Sequence, residues 1–292
     1  MMRIEGLSFS YAEVIEICLT GITGNDGLRE RLDSSRYSLT RVAEDYTELG
    51  ERGLLSDIVP LKNGMGINPI VLEGLNKKEL ISLYNLYFVN KQKPEARKIY
   101  NEIMSLAKER CPFCGGIGKP RNLDHYLAKK YYPQYSILPQ NLIPSCLDCN
   151  MVGKGQSLAE NAAEQVIHPF LDDNKFFNEQ WIFAEYRING VGRDLGVIHY
   201  YVDPPEEWND IDKGRVSQHF VAFDINKIYS LQAVDNLQAI INQANKLREY
   251  GFNNEDIVTT LLQPALDVDM IPNHWKRGFY QALKDWYLND NF

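Results

Sequence analysis

The sequence predicts a mostly helical protein of the α+β class, and three observations lead to that prediction. Long stretches before residue 110 and after residue 230 place apolar residues at helical spacing. Between residues 111 and 170, glycine and proline interrupt this spacing, which is typical of turns and short strands. Residues 181–188 and 197–202 are rich in β-branched and aromatic side chains. We therefore expect a helical region over 1–110, a loop-rich module over 111–170, and a mainly helical α+β region over 171–292.

The first region is predicted to end in two helices. Residues 79–89 carry leucines at helical spacing. Pro94 is favourable at the first position of a helix, so a second helix should begin there and run directly into Cys111. In the middle region, Ser157 and Glu160 have the spacing of a capping box, which predicts a helix from about Leu158.

The last region is predicted to begin with two strands, at 181–188 and 197–202, interrupted by turn residues. Two amphipathic helices should follow them. The apolar face of the first is predicted to consist of Leu231, Val234, Leu237, Ile241, Ala244 and Leu247. The apolar face of the second is predicted to consist of Trp275, Phe279, Leu283 and Trp286.

Four of the five cysteines form two C-x2-C pairs, Cys111 with Cys114 and Cys146 with Cys149. Reducing conditions keep cytosolic thiols free, so this spacing indicates a metal rather than disulfides. Two pairs can surround one tetrahedral Zn²⁺, which would be structural because no coordination position stays open. Reduced thiols without a ligand and an iron–sulfur cluster are the alternatives. The fifth cysteine, Cys18, lies in an apolar stretch and is expected to be a small buried residue.

Positive charge is concentrated in one segment of an acidic chain. Residues 91–154 contain eleven Lys and Arg against five Asp and Glu, a local charge of +6 that leaves −14 for the rest of a chain whose total is −8. This asymmetry favours a segment that meets a polyanion, and an ordinary solvated surface is the alternative. Lys129, Lys130 and Lys154 are the candidate substrate contacts in this segment.

Several chemically informative residues lie between the cysteine pairs and just after them. Leu123-Asp124-His125-Tyr126 is followed by Asn141-Leu142, and Asn150 comes directly after the last cysteine. In this order the residues resemble the motif of HNH (ββα-metal) endonucleases, in the version whose two strands and helix are pinned by a zinc ion. The resemblance covers about a fifth of the chain, and several spaced features coincide in it. It implies an embedded ββα-metal module over 111–170 that hydrolyses phosphodiester bonds.

The resemblance implies His125 as the general base and a catalytic Mg²⁺ or Mn²⁺ held by Asp124 and Asn150. An imidazole with an ordinary pKa of roughly 6.5 is largely neutral near pH 7 and can accept a proton. Carboxylate and amide oxygens suit such hard cations. The position of Asn150 most commonly holds His in the family, and the change favours a harder cation. Because neighbouring side chains of a regular strand point to opposite faces, Asp124 and His125 can act together only where the strand twists or ends.

Asn141 matches the middle residue of the motif. Its implied role is to form hydrogen bonds across the loop between the strands and so fix the backbone that carries His125. Lys154 would share the helical face of Asn150 and contact phosphate. His168 follows the motif and could turn back to the site, with either a supporting or a catalytic role.

The sequence leaves two classes of function open. The first is an endonuclease that cuts DNA, with RNA not excluded as a substrate. The second is a zinc-stabilised module that binds nucleic acid or protein without cutting. Asp124, His125 and Asn150 at motif spacing favour the first, because a binding module does not need a base beside oxygen ligands.

The residues around the motif also resemble a particular group of HNH proteins. Asp124-His125-Tyr126-Leu127, Tyr132-Pro133, the segment 141–146 and His168-Pro169 are similar to the HNH nucleases of bacterial antiphage defence, notably the nuclease component of Septu-type systems. In those systems the nuclease works with an ATPase, which the resemblance implies as a partner. The acidic flanks agree with weak DNA binding by the isolated chain.

The expected compartment is the cytoplasm, with no membrane partner. No apolar run approaches the roughly 20 residues of a membrane-spanning helix. The first residues, Met-Met-Arg-Ile-Glu-Gly, do not have the charged start and apolar middle of a signal peptide.

Overall fold

The structure is a computed structural model that describes residues 1–61, 66–153, 158–188 and 196–289. Over these residues the protein is mostly helical with small sheets of two antiparallel strands, which confirms the predicted α+β class. The chain forms two compact units. The N-terminal unit is Arg3–Asp172, and the C-terminal unit combines Asp173–Phe292 with Met1–Met2. No described helix has both the length and the apolar composition that crossing a membrane requires.

The N-terminal unit contains five α-helices and two hairpins among its described residues. The helices are α1 (Tyr11–Gly21), α2 (Asp26–Ser34), α3 (Arg36–Glu51), α4 (Lys77–Ser82) and α5 (Pro94–Leu106). The strands are β1 (Ile70–Leu72), β2 (Leu75–Asn76), β3 (Asn122–His125) and β4 (Leu142–Ser145). Short 3-10 turns lie at Leu55–Asp57, Pro133–Tyr135, Pro139–Asn141 and Ala162–Glu164, and π-helical turns at Leu83–Phe88 and Cys149–Gly153.

Local sequence explains where these helices begin. Ser10 and Glu13 form a capping box at the start of α1, and Asn76 and Glu79 form another at the start of α4. Pro94 is the first residue of α5, as predicted. The apolar face of α5 packs against β3 and β4, so this helix supports the hairpin that carries the motif.

Two sequence-based expectations about helix length are wrong. Helix α5 ends at Leu106 instead of running into Cys111, because Lys108 and Glu109 adopt positive φ angles of 47° and 61°. The helix expected from Leu158 is absent among the described residues, which hold only the 3-10 turn at Ala162–Glu164 there. The predicted capping residue, Ser157, lies outside the described residues.

The C-terminal unit is built on one hairpin. Its described helices are α6 (Lys175–Asn178), α7 (Asp210–Ala222), α8 (Ile225–Glu249), α9 (Asn254–Ile257), α10 (Gln263–Leu266) and α11 (Trp275–Leu288), with a π-helical turn at Val258–Leu262. The predicted strands are confirmed as β5 (Ile182–Arg187) and β6 (Val197–Val202), which pair in a continuous antiparallel register. The predicted turn residues at 189, 190 and 192 lie outside the described residues.

Helix α8 forms where predicted, but it is rotated relative to the predicted face. Leu237 and Ala244 are buried, whereas Leu231 and Val234 are 63% and 51% exposed. The buried stripe runs instead through Ile225, Tyr229, Ala233, Leu237, Ile240 and Ala244. A tyrosine and two alanines supply much of this stripe, so counting the large aliphatic residues selects the wrong side of the helix.

Candidate functional site

The four paired cysteines come together as one cluster in the N-terminal unit. The sulfur atoms of Cys111, Cys114, Cys146 and Cys149 all lie within 4.8 Å of one another, and all four residues are buried. A regular tetrahedron with Zn–S bonds of about 2.3 Å would place its sulfurs about 3.8 Å apart. A small contraction of the cluster would therefore hold such an ion, and the four residues form a compact site that could bind a metal.

Glycines shape the first cysteine pair. Gly115 and Gly116 have positive φ angles of 64° and 90°, a backbone conformation that turns the chain directly after Cys114, where the N–H of Gly116 donates to the carbonyl of Cys111 over 2.8 Å. The N–H of Gly118 donates to the sulfur of Cys114 over 3.2 Å. A Cβ atom at Gly118 would lie 2.5 Å from the sulfur of Cys146, so a larger residue there would displace the second pair.

The four clustered thiols shift one another's pKa values in opposite directions, lowering that of Cys111 and raising those of Cys114 and Cys149. The side chains of Cys114, Cys146 and Cys149 form hydrogen bonds with the sulfur of Cys111 and hold the pKa of that thiol far below its usual range. A thiolate is the form of cysteine that binds metal, and a bound cation favours that form at every ligand. Cys18 behaves differently, because it is fully buried and burial raises the pKa of its thiol to about 12.

Strands β3 and β4 form the hairpin that carries the motif residues. Asp124 pairs with Ile143, and His125 pairs with Leu142 at the end of the ladder. Asp124 is partly exposed and His125 is buried, which follows the alternation of a strand. The two cysteine pairs flank this hairpin in sequence, because Cys114 precedes β3 and Cys146 follows β4 directly.

The imidazole of His125 is held in one orientation. Its Nε2 atom lies 2.9 Å from the carbonyl oxygen of Ser136. A carbonyl oxygen can only accept, so Nε2 carries the proton and Nδ1 is the acceptor nitrogen of the neutral ring. The ring of Tyr84 packs edge-on against the imidazole, with centroids 4.4 Å apart.

Asp124 and Lys129 are also near Tyr84. Burial raises the pKa of the Tyr84 hydroxyl, and the charges of Tyr100 and Asp124 add to the rise. The ammonium of Lys129 lies 4.3 Å from the centroid of the Tyr84 ring and donates to Oδ1 of Asn85 over 2.8 Å. Burial lowers the pKa of Lys129, while the negative charge of Asp124 acts in the opposite direction. The ring of Tyr84 therefore contacts His125 and Lys129, and the charge of Asp124 acts on its hydroxyl.

Asn141 ties the two sides of the loop between β3 and β4. Its Oδ1 atom accepts from the N–H of Leu127 over 2.6 Å, and its Nδ2 atom donates to the carbonyls of Leu127 and Tyr135 over 3.1 Å each. Its own carbonyl accepts from the N–H of Tyr126 over 2.8 Å. The side chain is completely buried, so these bonds fix the backbone directly after His125.

Two further buried residues, Tyr46 and His168, continue the hydrogen-bond network of Asn141. The hydroxyl of Tyr46, in α3, donates to Oδ1 of Asn141 over 3.0 Å and lies 3.2 Å from Nε2 of His168. Nδ1 of His168 accepts from the N–H groups of Phe170 and Leu171, so Nε2 is the protonated nitrogen and donates to Tyr46. His168 thus supports the loop through Tyr46 and Asn141.

The remaining candidate residues are located as follows. Asn150 is partly exposed, and its N–H donates to the carbonyl of Cys146 over 3.0 Å. Lys130 is exposed, with its ammonium 4.9 Å from the ring centroid of Tyr131. Lys154 lies outside the described residues.

Sequence reasoning missed the residues that the helical region contributes, namely Tyr46, Tyr84, Asn85 and Tyr100. Tyr84 donates from its hydroxyl to the carbonyl of Leu123 over 2.9 Å, and the hydroxyl of Tyr100 accepts from the N–H of Leu123 over 3.3 Å. The sequence alone assigns no role to any of these four residues. The π-helical turn at Leu83–Phe88, a feature often found at functional sites, has no signal in the sequence.

Comparisons with known proteins place the chain in a family. It matches no protein-family model and no solved structure. It is 38% identical over 224 residues to protein ea31 of Escherichia phage lambda, and the alignment covers 73% of this chain and 74% of ea31. At this identity and coverage, the chain belongs to the family of phage lambda protein ea31.

Proposed function

We propose that this protein is a metal-dependent endonuclease of the HNH class that hydrolyses phosphodiester bonds of DNA. The observation that carries the proposal is the orientation of His125. With Nε2 donating to the Ser136 carbonyl, Nδ1 is the nitrogen that can take a proton from water. Asp124 and His125 are the last two residues of β3, so two groups of the required chemistry lie where this strand ends.

The proposed hydrolysis requires a general base and ligands for one divalent cation from this chain. A water oxygen forms a bond to phosphorus, its proton moves to Nδ1 of His125, and the bond from phosphorus to the departing sugar oxygen breaks. Asp124, whose Oδ2 atom is buried, and Asn150 would hold a Mg²⁺ or Mn²⁺ ion. That ion would supply positive charge beside the phosphate and the leaving oxygen. Asn141 keeps the loop after His125 in place, and Lys129 offers a cation to phosphate.

We propose Zn²⁺ as the metal of the four-cysteine cluster. Four thiolates complete a tetrahedral shell, so this ion would hold the hairpin and take no part in the chemistry. An iron–sulfur cluster fits the same ligands and would be recognised by its colour and iron content. Metal analysis of protein purified without added metal decides between them, and one zinc per chain is the expected result.

A non-catalytic zinc module that binds nucleic acid or protein is the second candidate. The burial of His125, which is 7% exposed, favours it, because a base must reach water and substrate. Plasmid nicking discriminates between the two candidates. The intact protein is expected to nick plasmid with Mg²⁺ or Mn²⁺, and His125→Ala should lower the rate by roughly 10²- to 10⁴-fold.

The matched control for this test is His199→Ala, which removes a partly exposed histidine of the C-terminal unit and should keep full activity. Zinc content and circular dichroism of both variants should equal those of the intact protein. Absence of nicking with every divalent cation, or full nicking by His125→Ala, would contradict the proposed hydrolysis.

The biological setting is a separate proposal. An antiphage role with an ATPase partner rests on the resemblance of the motif region alone, and protein ea31 is itself a phage protein. An acidic chain with one basic segment should bind DNA weakly and in a salt-dependent way unless a partner adds positive charge. Recovery of an ATPase by affinity purification from the native host would support this setting, and robust cutting by the isolated chain at physiological salt would contradict it.

A further inference from the structure

The outer face of α5 forms a basic groove in the N-terminal unit. The groove has a volume of about 500 Å³. It is lined by Lys91, Pro94, Arg97, Lys98, Asn101, Glu102 and Ser105. Three of these residues are cationic and one is acidic, so the groove carries a net positive charge within a chain of net charge −8. The buried face of the same helix packs on β3 and β4, so α5 carries the groove on one side and supports the hairpin on the other.

Arg97 links this groove to the His125 hairpin. Its guanidinium donates to the carbonyl of Val89 over 2.9 Å and lies 4.0 Å from the centroid of the Tyr100 ring. Tyr100 accepts from the N–H of Leu123, the residue before Asp124. The positive charge of Arg97 also acts on Tyr84, which contacts His125. The groove is therefore connected to the hairpin through Arg97, Tyr100 and Leu123.

The composition of the groove identifies the kind of polyanion. Proteins that bind single strands stack the bases on aromatic side chains, and the described residues that line this groove include no aromatic side chain. Lysine, arginine and asparagine contact phosphates without regard to sequence. These features fit the backbone of a duplex, whose bases are stacked inside.

We propose that the α5 groove binds the phosphate backbone of double-stranded DNA and positions the duplex for the hairpin. This inference rests on the proposed function for the identity of the site, but DNA binding is measured separately from cleavage. Lys91 and Lys98 contribute two phosphate contacts, and Arg97 contributes a third beside the hairpin.

The experiment measures the salt dependence of binding of a fluorescent duplex of 30 base pairs to the full chain. His125→Ala is the background, so that bound DNA is not cut. The slope of log Kobs against log salt is negative, and each lost phosphate contact reduces its magnitude by about 0.9. The double substitution Lys91→Gln with Lys98→Gln is therefore expected to reduce the magnitude of the slope by about 1.8.

The matched control, Lys227→Gln with Lys246→Gln, removes the same charge from lysines of the C-terminal unit that are 72% and 60% exposed. It should leave the slope unchanged. An equal loss of slope in the control, or no loss in the groove variant, would overturn the assignment. Tighter binding of single-stranded DNA or of RNA than of the duplex would also overturn it.

Plasmid nicking by the chain with His125 intact separates this inference from the proposed function. If the groove variant loses the expected slope while the intact chain fails to nick with any cation, the groove assignment stands and the proposed hydrolysis fails. If the intact chain nicks and the groove variant keeps both its slope and its nicking rate, the groove assignment fails alone.

Discussion

A completely buried asparagine anchors the β3–β4 hairpin of the N-terminal unit, and another anchors the β5–β6 hairpin of the C-terminal unit. Asn141 holds the β3–β4 hairpin, and Asn273 holds the start of β5 by accepting from the N–H groups of Trp181 and Ile182 over 2.8 and 3.0 Å. Nδ2 of Asn273 also donates to the carbonyl of Glu179 over 2.8 Å. The same device of one buried amide that satisfies several backbone groups therefore occurs twice.

The surroundings of the two hairpins differ. Strands β5 and β6 are six residues long and pack on α8 and α11, as expected of a sheet with one apolar face. Strands β3 and β4 are only four residues long, and the paired cysteines flank them. The comparison indicates that β5–β6 depends mainly on apolar packing, whereas β3–β4 combines apolar packing against α5 with the hydrogen bonds of Asn141 and the flanking cysteine cluster.

Removal of the proposed Zn²⁺ is expected to have the largest effect, because it should destabilise the β3–β4 hairpin and leave the β5–β6 hairpin intact. Structural zinc contributes apparent binding energies of about 10–16 kcal/mol, comparable to the whole stability of a domain. A strong chelator should therefore unfold the N-terminal unit. All four tryptophans lie in the C-terminal unit, so tryptophan emission should stay constant while far-ultraviolet circular dichroism decreases.

The Cys146→Ser variant should behave like the chelated protein, and Cys18→Ser, a matched loss of one buried thiol outside the cluster, should not. A shift of tryptophan emission that parallels the loss of helix would show that both hairpins depend on the metal. An unchanged circular dichroism spectrum after complete metal removal would show that neither does.

Replacement of either anchoring asparagine is expected to have the next largest effect on the free energy of unfolding. Asn141→Ala and Asn273→Ala each leave several buried backbone groups without a hydrogen-bond partner, which should cost about 3 kcal/mol. In urea denaturation, the lower free energy of unfolding of Asn273→Ala should be detected by tryptophan emission. That of Asn141→Ala should be detected only by circular dichroism. Only Asn141→Ala should reduce plasmid nicking, and the comparison fails if both variants reduce it equally.

The tyrosine beside each asparagine offers a finer version of this test. Tyr46→Phe removes the hydroxyl between His168 and Asn141, and Tyr229→Phe removes the hydroxyl that donates to the carbonyl of Asn273 over 2.8 Å. Each change should cost about 1 kcal/mol in urea denaturation. Nicking should fall only for Tyr46→Phe, if the network positions the loop after His125. Equal nicking by both variants would restrict the role of Tyr46 to stability.

The smallest expected effect concerns Cys18. With the pKa of its thiol raised to about 12, the reactive thiolate is present at roughly one part in 10⁴ at pH 8. Alkylation followed by mass spectrometry should therefore leave Cys18 unmodified in native protein. In chelated protein, in which the N-terminal unit is expected to unfold, Cys18 should be modified together with the four clustered cysteines. Rapid labelling of Cys18 alone at pH 8 would contradict its burial.

The sequence predicted those parts of the fold that depend on local pattern. Pro94 marked the first residue of α5, and alternation with β-branched residues marked β5 and β6. The spacing of the cysteines predicted their cluster, because two C-x2-C pairs suit one ion. These features need only a few neighbouring residues, or a ligand geometry that is known in advance.

The parts that could not be predicted depend on contacts between distant residues. Tyr46 meets Asn141 across 95 positions and His168 across 122, and nothing in α3 distinguishes that tyrosine from other core residues. The prediction for the buried side of α8 is wrong because a tyrosine and two alanines supply much of that side. Such choices are made by packing, which periodicity alone does not specify.

The π-helical turn at Leu83–Phe88 has a practical consequence. A π turn contains one residue more per turn than an α turn, so deletion of a single residue within it can restore a regular helix. Such a deletion would rotate Tyr84 and Asn85 relative to the hairpin without substituting any residue. The orientation of this helix could therefore be adjusted by chain length alone, without introducing any new functional group.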